Sequence, residues 1–156
     1  MLQFFLKDEA ATLAFGEAIA PILKSGDMVA LYGGLGAGKT TLARGLLQTL
    51  CGPIDVPSPT YTLVQTYEAQ NFLLWHFDLY RLESAEDLEE LAWQETVDGV
   101  ALVEWPECAG NKMPSWRLDI ILAPEEAGRM VTLEPRGEDW QKRLNDDSFQ
   151  FPRRDD

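Results

Sequence analysis

The alternation of apolar and polar positions predicts a chain in which strands and helices follow one another. In the first third, the predicted elements are a strand at residues 2–6, a helix at 8–24, a strand at 28–32 and a helix from 39 to about 51. Asp8 stands where the N-cap of the first helix belongs. The run at 28–32 is continuously apolar and ends at a cluster of glycines, which is typical of a buried parallel strand.

The rest of the chain begins with three prolines between residues 52 and 59, which predict an extended, irregular connection. Beyond it, the predicted elements are strands at 63–68 and 72–80, a helix that Ser84 caps and that runs through Leu91, a strand at 100–103, strands at 116–122 and 129–134, and a short helix at 138–144. Only residues 69–71 join the first two of these strands, so they form an antiparallel hairpin, since a parallel pair needs a crossover. The last two strands are expected to pair around the turn at 123–128.

These elements predict a three-layer α/β/α domain with a mixed, mostly parallel sheet that includes an antiparallel hairpin. A length of 156 residues suffices for one domain and is too short for two ordinary ones. We expect residues 1–145 to form this single domain. The polar residues 146–156 carry few apolar anchors, and we expect disorder there.

Charge and composition narrow the range of functions. The formal charge is −13, and proteins that bind nucleic acids need cations to displace counterions from phosphates, so direct binding of DNA or RNA is not expected. Nine carboxylates and no Lys or Arg lie from Glu83 to Glu107, which predicts either a solvated acidic face or a docking face for a basic protein partner. No apolar run approaches the length of a membrane-spanning helix, and the N-terminus does not resemble a secretory signal. Cys51 and Cys108 are expected to be reduced thiols, and the cytoplasm is the expected compartment.

One segment matches a complete phosphate-binding loop, or P-loop: Gly33-Gly34-Leu35-Gly36-Ala37-Gly38-Lys39-Thr40. Its glycines let the backbone take positive φ and approach phosphate closely, and its N–H groups form a nest for anions. Lys39 is expected to contact the β- and γ-phosphates, and the Thr40 hydroxyl to ligate magnesium. No Asn-Lys-x-Asp guanine reader occurs. The sequence therefore predicts a site for ATP and Mg²⁺ formed by this phosphate loop and the following Thr41.

Two acidic residues at predicted strand ends are candidates to complete the site. Asp78 follows an apolar run in the strand at 72–80, and Glu104 follows the strand at 100–103. Because ligands bind outside the carboxyl ends of strands in open α/β sheets, both acids could face the phosphates. We assign Asp78 to the magnesium shell and Glu104 to water positioning or general-base catalysis, although the two roles could be exchanged. Either carboxylate could instead cap a helix or pair with a cation.

Four further residues carry weaker signals. Thr60, in Ser58-Pro59-Thr60-Tyr61-Thr62, could move onto magnesium when a γ-phosphate is present, as in a GTPase switch, although such a segment is also an ordinary strand entry. His76 lies mid-strand among apolar residues and is expected to be a core histidine rather than a catalyst. Arg81 could reach the nucleotide or a neighbouring acid. Trp105 could stack on a base or a partner, or pack in the core.

Several segments together resemble the TsaE (YjeE) family. The resemblance rests on residues 33–41, on Ser58-Pro59-Thr60-Tyr61-Thr62-Leu63-Val64, on His76-Phe77-Asp78-Leu79-Tyr80-Arg81 and on Val103-Glu104-Trp105-Pro106. Their order and spacing match the family, and the resemblance covers residues 1–135. One departure is Gly34, where the family usually has an acidic residue.

The resemblance implies a function that the residues alone do not. TsaE proteins are bacterial ATPases that act with the TsaD and TsaB proteins to form threonylcarbamoyladenosine in tRNA, and hydrolysis of ATP resets that complex between turnovers. The tRNA would be contacted only indirectly, through the complex. By motif position, the implied site residues are Lys39 and Thr40 for phosphate and magnesium, Thr60 as the switch threonine, Asp78 and Glu104 as the acidic residues, and Trp105.

Two other functions compete with this one. A small-molecule kinase would close an arginine-bearing lid over the transferred phosphoryl group, and the chain has no arginine-rich insertion of that kind. A nucleotide-gated binding module with negligible turnover would need no hydrolytic carboxylates. The two strand-end acids argue mildly for hydrolysis.

Overall fold

Seven strands form one sheet in the computed structural model, which describes residues 2–57, 59, 62–145 and 149–151. In chain order the strands are β1 (Leu2–Leu6), β2 (Met28–Tyr32), β3 (Val64–Glu68), β4 (Leu73–Asp78), β5 (Val100–Glu104), β6 (Arg117–Glu125) and β7 (Gly128–Arg136). The α-helices are α1 (Glu9–Ile19), α2 (Lys39–Cys51) and α3 (Glu138–Asn145). Short 3₁₀ helices span Ala20–Ile22, Ala85–Leu91, Trp93–Asp98 and Pro106–Lys112.

The strands lie in the order β1-β7-β6-β2-β5-β4-β3. The central strands β6, β2, β5 and β4 run parallel to one another. β3 is antiparallel to β4, and β7 is antiparallel to both β6 and β1, so β1 points the same way as the central four. The predicted fold class and both predicted hairpins are confirmed. Because β2, β4 and β5 are parallel, their carboxyl ends meet at one edge of the sheet, where the phosphate loop begins.

The two faces of the sheet pack against different kinds of helix. On one face, alternate positions of the central strands, such as Val29, form a core with Phe15 of α1 and Leu46 of α2. On the opposite face, Phe77 of β4 packs against 3₁₀ segments that contribute Leu88. Within the described ranges, the second helical layer therefore consists of 3₁₀ helices, whereas the first contains α-helices.

The helix predicted after Ser84 has the expected bounds but 3₁₀ geometry. The Ser84 hydroxyl accepts a hydrogen bond from the backbone N–H of Glu86, so the predicted cap is present. Leu88 is its buried residue, and four carboxylates lie at exposed positions: Glu86, Asp87, Glu89 and Glu90. At its end, Ala92 adopts left-handed φ of 62° and separates it from the next 3₁₀ helix.

The first helix ends at Ile19 rather than at the predicted Lys24, and a 3₁₀ turn follows. The reason is Pro21, which lacks the N–H that an α-helix needs and clashes with the carbonyl of the preceding turn. The predicted N-cap is confirmed, since Asp8 accepts from the N–H of Ala11 at 2.8 Å. None of the described helices is both long and apolar enough to cross a membrane.

α1 and α2 cross at two glycines. A Cβ on Gly16 of α1 would lie 2.1 Å from the carbonyl oxygen of Leu42, and a Cβ on Gly45 of α2 would lie 2.1 Å from that of Leu13. The helix backbones are therefore in direct contact at both positions, and any side chain there would push them apart. This contact fixes α2, whose first residue belongs to the phosphate loop.

Residues 149–151 belong to the stretch expected to be disordered, yet they contribute to the core, and the rest of that stretch, 146–148 and 152–156, lies outside the described residues. Phe149 is buried, and its ring centre lies 5.8 Å from that of Phe4 and 6.0 Å from that of Phe15. The ring of Phe151 lies 5.0 Å from that of Phe15. Residues 149–151 therefore pack on β1 and α1.

Candidate nucleotide-binding site

The loop between β2 and α2 has the backbone that its glycine spacing predicts. Gly36 and Gly38 have φ of 76° and 103°, in the left-handed region that side chains rarely adopt. Gly33 is needed mainly for space, because a Cβ there would lie 2.9 Å from the carbonyl oxygen of Leu122 on β6. At Gly34, φ is not positive and a Cβ would meet nothing within 4 Å. The loop therefore requires glycine at positions 33, 36 and 38 but not at position 34.

Lys39, the first residue of α2, is only 5% exposed. Its Nζ donates to the carbonyl oxygen of Gly33 at 2.7 Å and lies 3.7 Å from the centre of the Trp105 ring. Burial lowers the pKa of the Lys39 ammonium, and the carboxylates of Glu104 and Asp78 oppose that shift. The hydrogen-bond partner of the ammonium is thus a neutral carbonyl group at the start of the loop. A bound anion could take the place of this carbonyl as the partner.

Two strand ends form what we call the acidic wall, the carboxylates of Asp78 and Glu104. The parallel register of β4 and β5 sets these residues side by side, and both are nearly fully buried. The Thr40 hydroxyl donates to Glu104, whose Oε1 and Oε2 lie 3.2 and 3.3 Å away. Oδ1 of Asp78 accepts from the backbone N–H of Tyr80 at 3.1 Å. The acidic wall therefore faces the start of α2 directly.

Glu104 has a second hydrogen-bond partner besides Thr40. His76 lies on β4 and is fully buried, and its Nε2 lies 2.6 Å from Oε2 of Glu104. The Nδ1 of His76 is buried and has no hydrogen-bond partner among the described residues. The sequence predicts a core histidine here, and the residue is indeed buried, yet its partner is a carboxylate of the candidate site.

Trp105 forms a third side of the site. Its φ of 58° lies in the left-handed region, which is unusual for a bulky residue. The ring covers the Lys39 ammonium and contacts Tyr80, with ring centres 4.8 Å apart. Trp105 therefore shields the lysine from solvent at the end of the loop that faces the acidic wall.

Two cavities flank the phosphate loop. The smaller, about 270 Å³, is lined by residues 35–41 together with Asp78, Glu104 and Trp105. The larger, about 460 Å³, is lined by the start of α1, the turn before β7 and four residues of the loop region that also line the smaller one: Gly36, Ala37, Gly38 and Thr41. The loop therefore borders a compact charged compartment and a wider one.

Arg129, near the start of β7, supports the loop from the side of the larger cavity. Its guanidinium donates to the carbonyl oxygens of Gly36 at 2.9 Å and Ala37 at 3.1 Å, and also to that of Gly128 at 3.0 Å. These bonds turn two loop carbonyls towards the arginine. They tie the tip of the loop to the β6–β7 hairpin.

Comparison with known proteins agrees with this arrangement. The chain matches, over residues 6–131, the family described as threonylcarbamoyl adenosine biosynthesis protein TsaE. The chain belongs to the TsaE family. The resemblance inferred from the separate sequence segments is thereby confirmed.

Individual relatives carry the same description. A Nostoc protein named tRNA threonylcarbamoyladenosine biosynthesis protein TsaE is 37% identical over 141 residues, which are 86% of each chain. A Rickettsia conorii protein of the same name is 43% identical over 104 residues, which are 65% of this chain and only 59% of that relative's length. Among solved structures, YdiB of Bacillus subtilis has a TM-score of 0.76 at 27% identity, with 92% of this chain and 91% of YdiB covered.

Most of the site residues predicted for this TsaE-family chain come together in the structure. Leu35, Gly36, Ala37, Gly38, Lys39, Thr40, Thr41, Asp78, Glu104 and Trp105 all line the smaller cavity. Gly33 meets Lys39 through its carbonyl, whereas Gly34 is exposed. Thr60, together with Ser58 and Tyr61, lies outside the described residues. Arg81 is exposed and lines neither cavity.

Two residues that contact the site were not selected from the sequence. For His76 a signal existed, because its spacing of two from Asp78 places both side chains on the same face of β4. For Arg129 there was none. Its contact with the loop crosses 92 positions of sequence and depends on β6 and β7 pairing beside β2.

Proposed function

We propose that this chain binds ATP with Mg²⁺ at the phosphate loop and hydrolyses the nucleotide. The observation that carries the proposal is the gathering of Lys39, Thr40 and the acidic wall around one cavity of about 270 Å³. Loop N–H groups and an ammonium suit the negative phosphates, whereas carboxylates suit a cation and a water molecule. Membership of the TsaE family supports a nucleotide-binding P-loop protein.

The nucleoside half of ATP is assigned to the larger cavity. That cavity has about 460 Å³, shares the loop with the smaller one, and includes the Thr12 and Thr41 side chains as well as Arg129. A volume of this size is typical of cavities that take small molecules. The phosphates would then pass over Gly36–Gly38 towards Lys39, with the γ-phosphate nearest the acidic wall.

The available donors suit magnesium. Thr40, Asp78 and Glu104 offer hydroxyl and carboxylate oxygens, the ligands that Mg²⁺ prefers. The described residues contain no group of three or more His, Cys, Asp or Glu that could hold a metal, and Mg²⁺ in nucleotide sites is held by few protein ligands together with phosphates and waters. When bound, the ion would neutralise charge on the phosphates.

We assign the protein side chains three roles in hydrolysis. Lys39 binds and orients the β- and γ-phosphates, and Thr40 with Asp78 holds the metal. Glu104 accepts a hydrogen bond from the attacking water and orients it, or takes its proton. Thr60 is assigned the switch role on the resemblance alone.

We further propose that hydrolysis serves formation of threonylcarbamoyladenosine in tRNA. The relatives' names support this role, and the family resemblance implies TsaD and TsaB as partners whose complex is reset by ATP hydrolysis. The formal charge of −13 argues that the chain meets a protein complex and contacts tRNA only through it. Two free cysteines agree with a cytoplasmic location.

The decisive experiment incubates the purified chain with ATP and Mg²⁺, alone and with TsaB and TsaD. The proposal expects slow phosphate release that the two partners change. Phosphorylation of an added small acceptor would indicate the kinase alternative instead. Tight ATP binding without phosphate release, with or without the partners, would indicate a nucleotide-gated binding module.

A further inference from the structure

His76 and Glu104 form a buried pair directly behind the candidate site. The exposed fractions of their side chains are 0% and 3%, and Nε2 lies 2.6 Å from Oε2. The register of β4 and β5 pairs His76 with Leu102 and Asp78 with Glu104. The histidine side chain therefore contacts a residue of β5 that lies two positions beyond its own register partner. A carboxylate group that is ionised only accepts hydrogen bonds, so in a bond to ionised Glu104 the proton is on Nε2, which is the donor.

Packing alone does not explain a histidine at this place. Its Nδ1 is buried without a partner among the described residues, which an aromatic hydrocarbon of similar size would avoid. The neighbouring inward positions of the same core, Leu74 and Leu102, are filled by aliphatic side chains. The polar ring is therefore costly unless its bond to Glu104 has a use.

We propose that His76 is a positioning residue that holds the Glu104 carboxylate in the orientation needed for hydrolysis. This inference rests on the proposed ATPase function. The Glu104 carboxylate has two hydrogen-bond partners, Nε2 of His76 and the Thr40 hydroxyl, and both contact its Oε2. Thr40 is also the residue assigned to the metal. When its hydroxyl turns to the metal, the bond from His76 keeps Glu104 from rotating away from the attacking water.

The first test separates the hydrogen bond from the volume of the side chain. His76→Phe keeps a ring but removes the donor, whereas His76→Gln keeps an N–H that can reach the carboxylate. We expect His76→Phe to lower kcat about tenfold or more while KM for ATP stays within about threefold, and His76→Gln to recover most of the loss. Phe77→Leu, on the opposite face of β4, is the matched core control, and it should lower the Tm without changing kcat of the folded protein.

Two outcomes of these assays overturn the inference: a folded His76→Phe variant with wild-type kcat, or a His76→Gln variant as slow as His76→Phe. Absence of hydrolysis in the wild-type protein would instead refute the proposed function. The two failures are therefore distinguishable, since the first is a comparison between variants and the second is a property of the wild type.

A second measurement does not depend on hydrolysis or on folding of the His76 variants. His76 is the only histidine of the chain, so a ¹⁵N-labelled sample gives a single set of imidazole signals. We expect a slowly exchanging Nε2–H proton that Glu104→Gln shifts strongly, whereas Glu107→Gln at an exposed position leaves it unchanged. A ring protonated only at Nδ1, or a signal insensitive to Glu104→Gln, would contradict the pairing.

Discussion

The phosphate loop and the acidic wall face each other across one cavity, but they are built in different ways. The loop consists of consecutive residues, and its observed contacts are mainly those of its backbone: the Gly33 carbonyl accepts from Lys39, and the Gly36 and Ala37 carbonyls accept from Arg129. The acidic wall consists of side chains from two strands, set side by side by the parallel register of β4 and β5. The phosphate loop thus depends on the conformation of its backbone, whereas the acidic wall depends on the chemistry of its side chains.

This difference predicts that the two sides fail in different ways. Backbone N–H groups and an ammonium contribute to the affinity for phosphates in substrate and product alike. A carboxylate that orients a water contributes mainly in the transition state. Changes in the loop should therefore weaken nucleotide binding, whereas changes in the acidic wall should slow turnover and leave binding nearly intact.

The largest effect is expected from Glu104→Ala. Removing the group that orients the attacking water should lower the rate of phosphate release by about 10²–10⁴-fold, while the Kd for ADP stays within about threefold. Phosphate release and isothermal titration with ADP measure the two quantities. A variant that hydrolyses ATP normally would show that Glu104 has a different role.

A matched variant guards against a folding artefact in that comparison. Glu104→Ala leaves Nε2 of His76 buried without its observed partner, which costs free energy of unfolding. Glu104→Gln keeps an acceptor at the same place but no charge. It should unfold closer to the wild-type temperature and still be impaired in hydrolysis, and wild-type activity in Glu104→Gln would exclude general-base catalysis.

Lys39→Ala should impair the phosphate loop rather than the acidic wall. Loss of a charged hydrogen-bond donor to the phosphates is expected to weaken ADP and ATP binding by about 10–100-fold. The lost affinity should appear in titrations with a non-hydrolysable ATP analogue. Hydrolysis at saturating ATP would then show how far the lysine also stabilises the transition state. An unchanged Kd would refute the assignment of the loop as the phosphate site.

The contrast between loop and wall also explains what the sequence could predict. The loop is local, so its motif gave both its residues and its backbone, including positive φ at Gly36 and Gly38. Asp78 and Glu104 were identifiable because strand ends of a parallel sheet meet at one edge. The bond between His76 and Glu104 required the register of β4 against β5, which no local pattern gives.

Other elements of the fold also divide into those that local sequence predicts and those that it does not. The N-cap of α1, the bounds of α2 and the strands of both hairpins follow from local signals. The segment after Ser84 packs through the buried Leu88, and Phe149 packs on Phe15 across most of the sequence, so neither the 3₁₀ geometry nor this packing follows from a local pattern. The sequence therefore predicted the positions of these elements better than their type or their packing.

A smaller effect is expected from Arg129→Gln. The variant loses the guanidinium bonds to the carbonyls of Gly36 and Ala37, so the loop should lose part of its preorganisation for phosphate. We expect nucleotide affinity to fall about three- to tenfold, with kcat at saturating ATP nearly unchanged. Lys142→Gln is the matched control for charge, because Lys142 is exposed on α3 and lines neither cavity. Equal losses in both variants would indicate an effect of overall charge.

The smallest effect is expected from Gly34→Ala. Compared with Gly33→Ala, it tests which glycines of the loop are needed for the backbone conformation. At Gly33 a Cβ would approach the Leu122 carbonyl to 2.9 Å, so Gly33→Ala should destabilise the fold by about 1–3 kcal/mol and weaken nucleotide binding. At Gly34 the space around a Cβ is open and φ is not positive, so Gly34→Ala should be neutral or stabilising by up to about 1 kcal/mol. Urea unfolding and ADP titration compare the two variants. A Gly34→Ala variant as impaired as Gly33→Ala would mean that the loop changes its backbone when nucleotide binds.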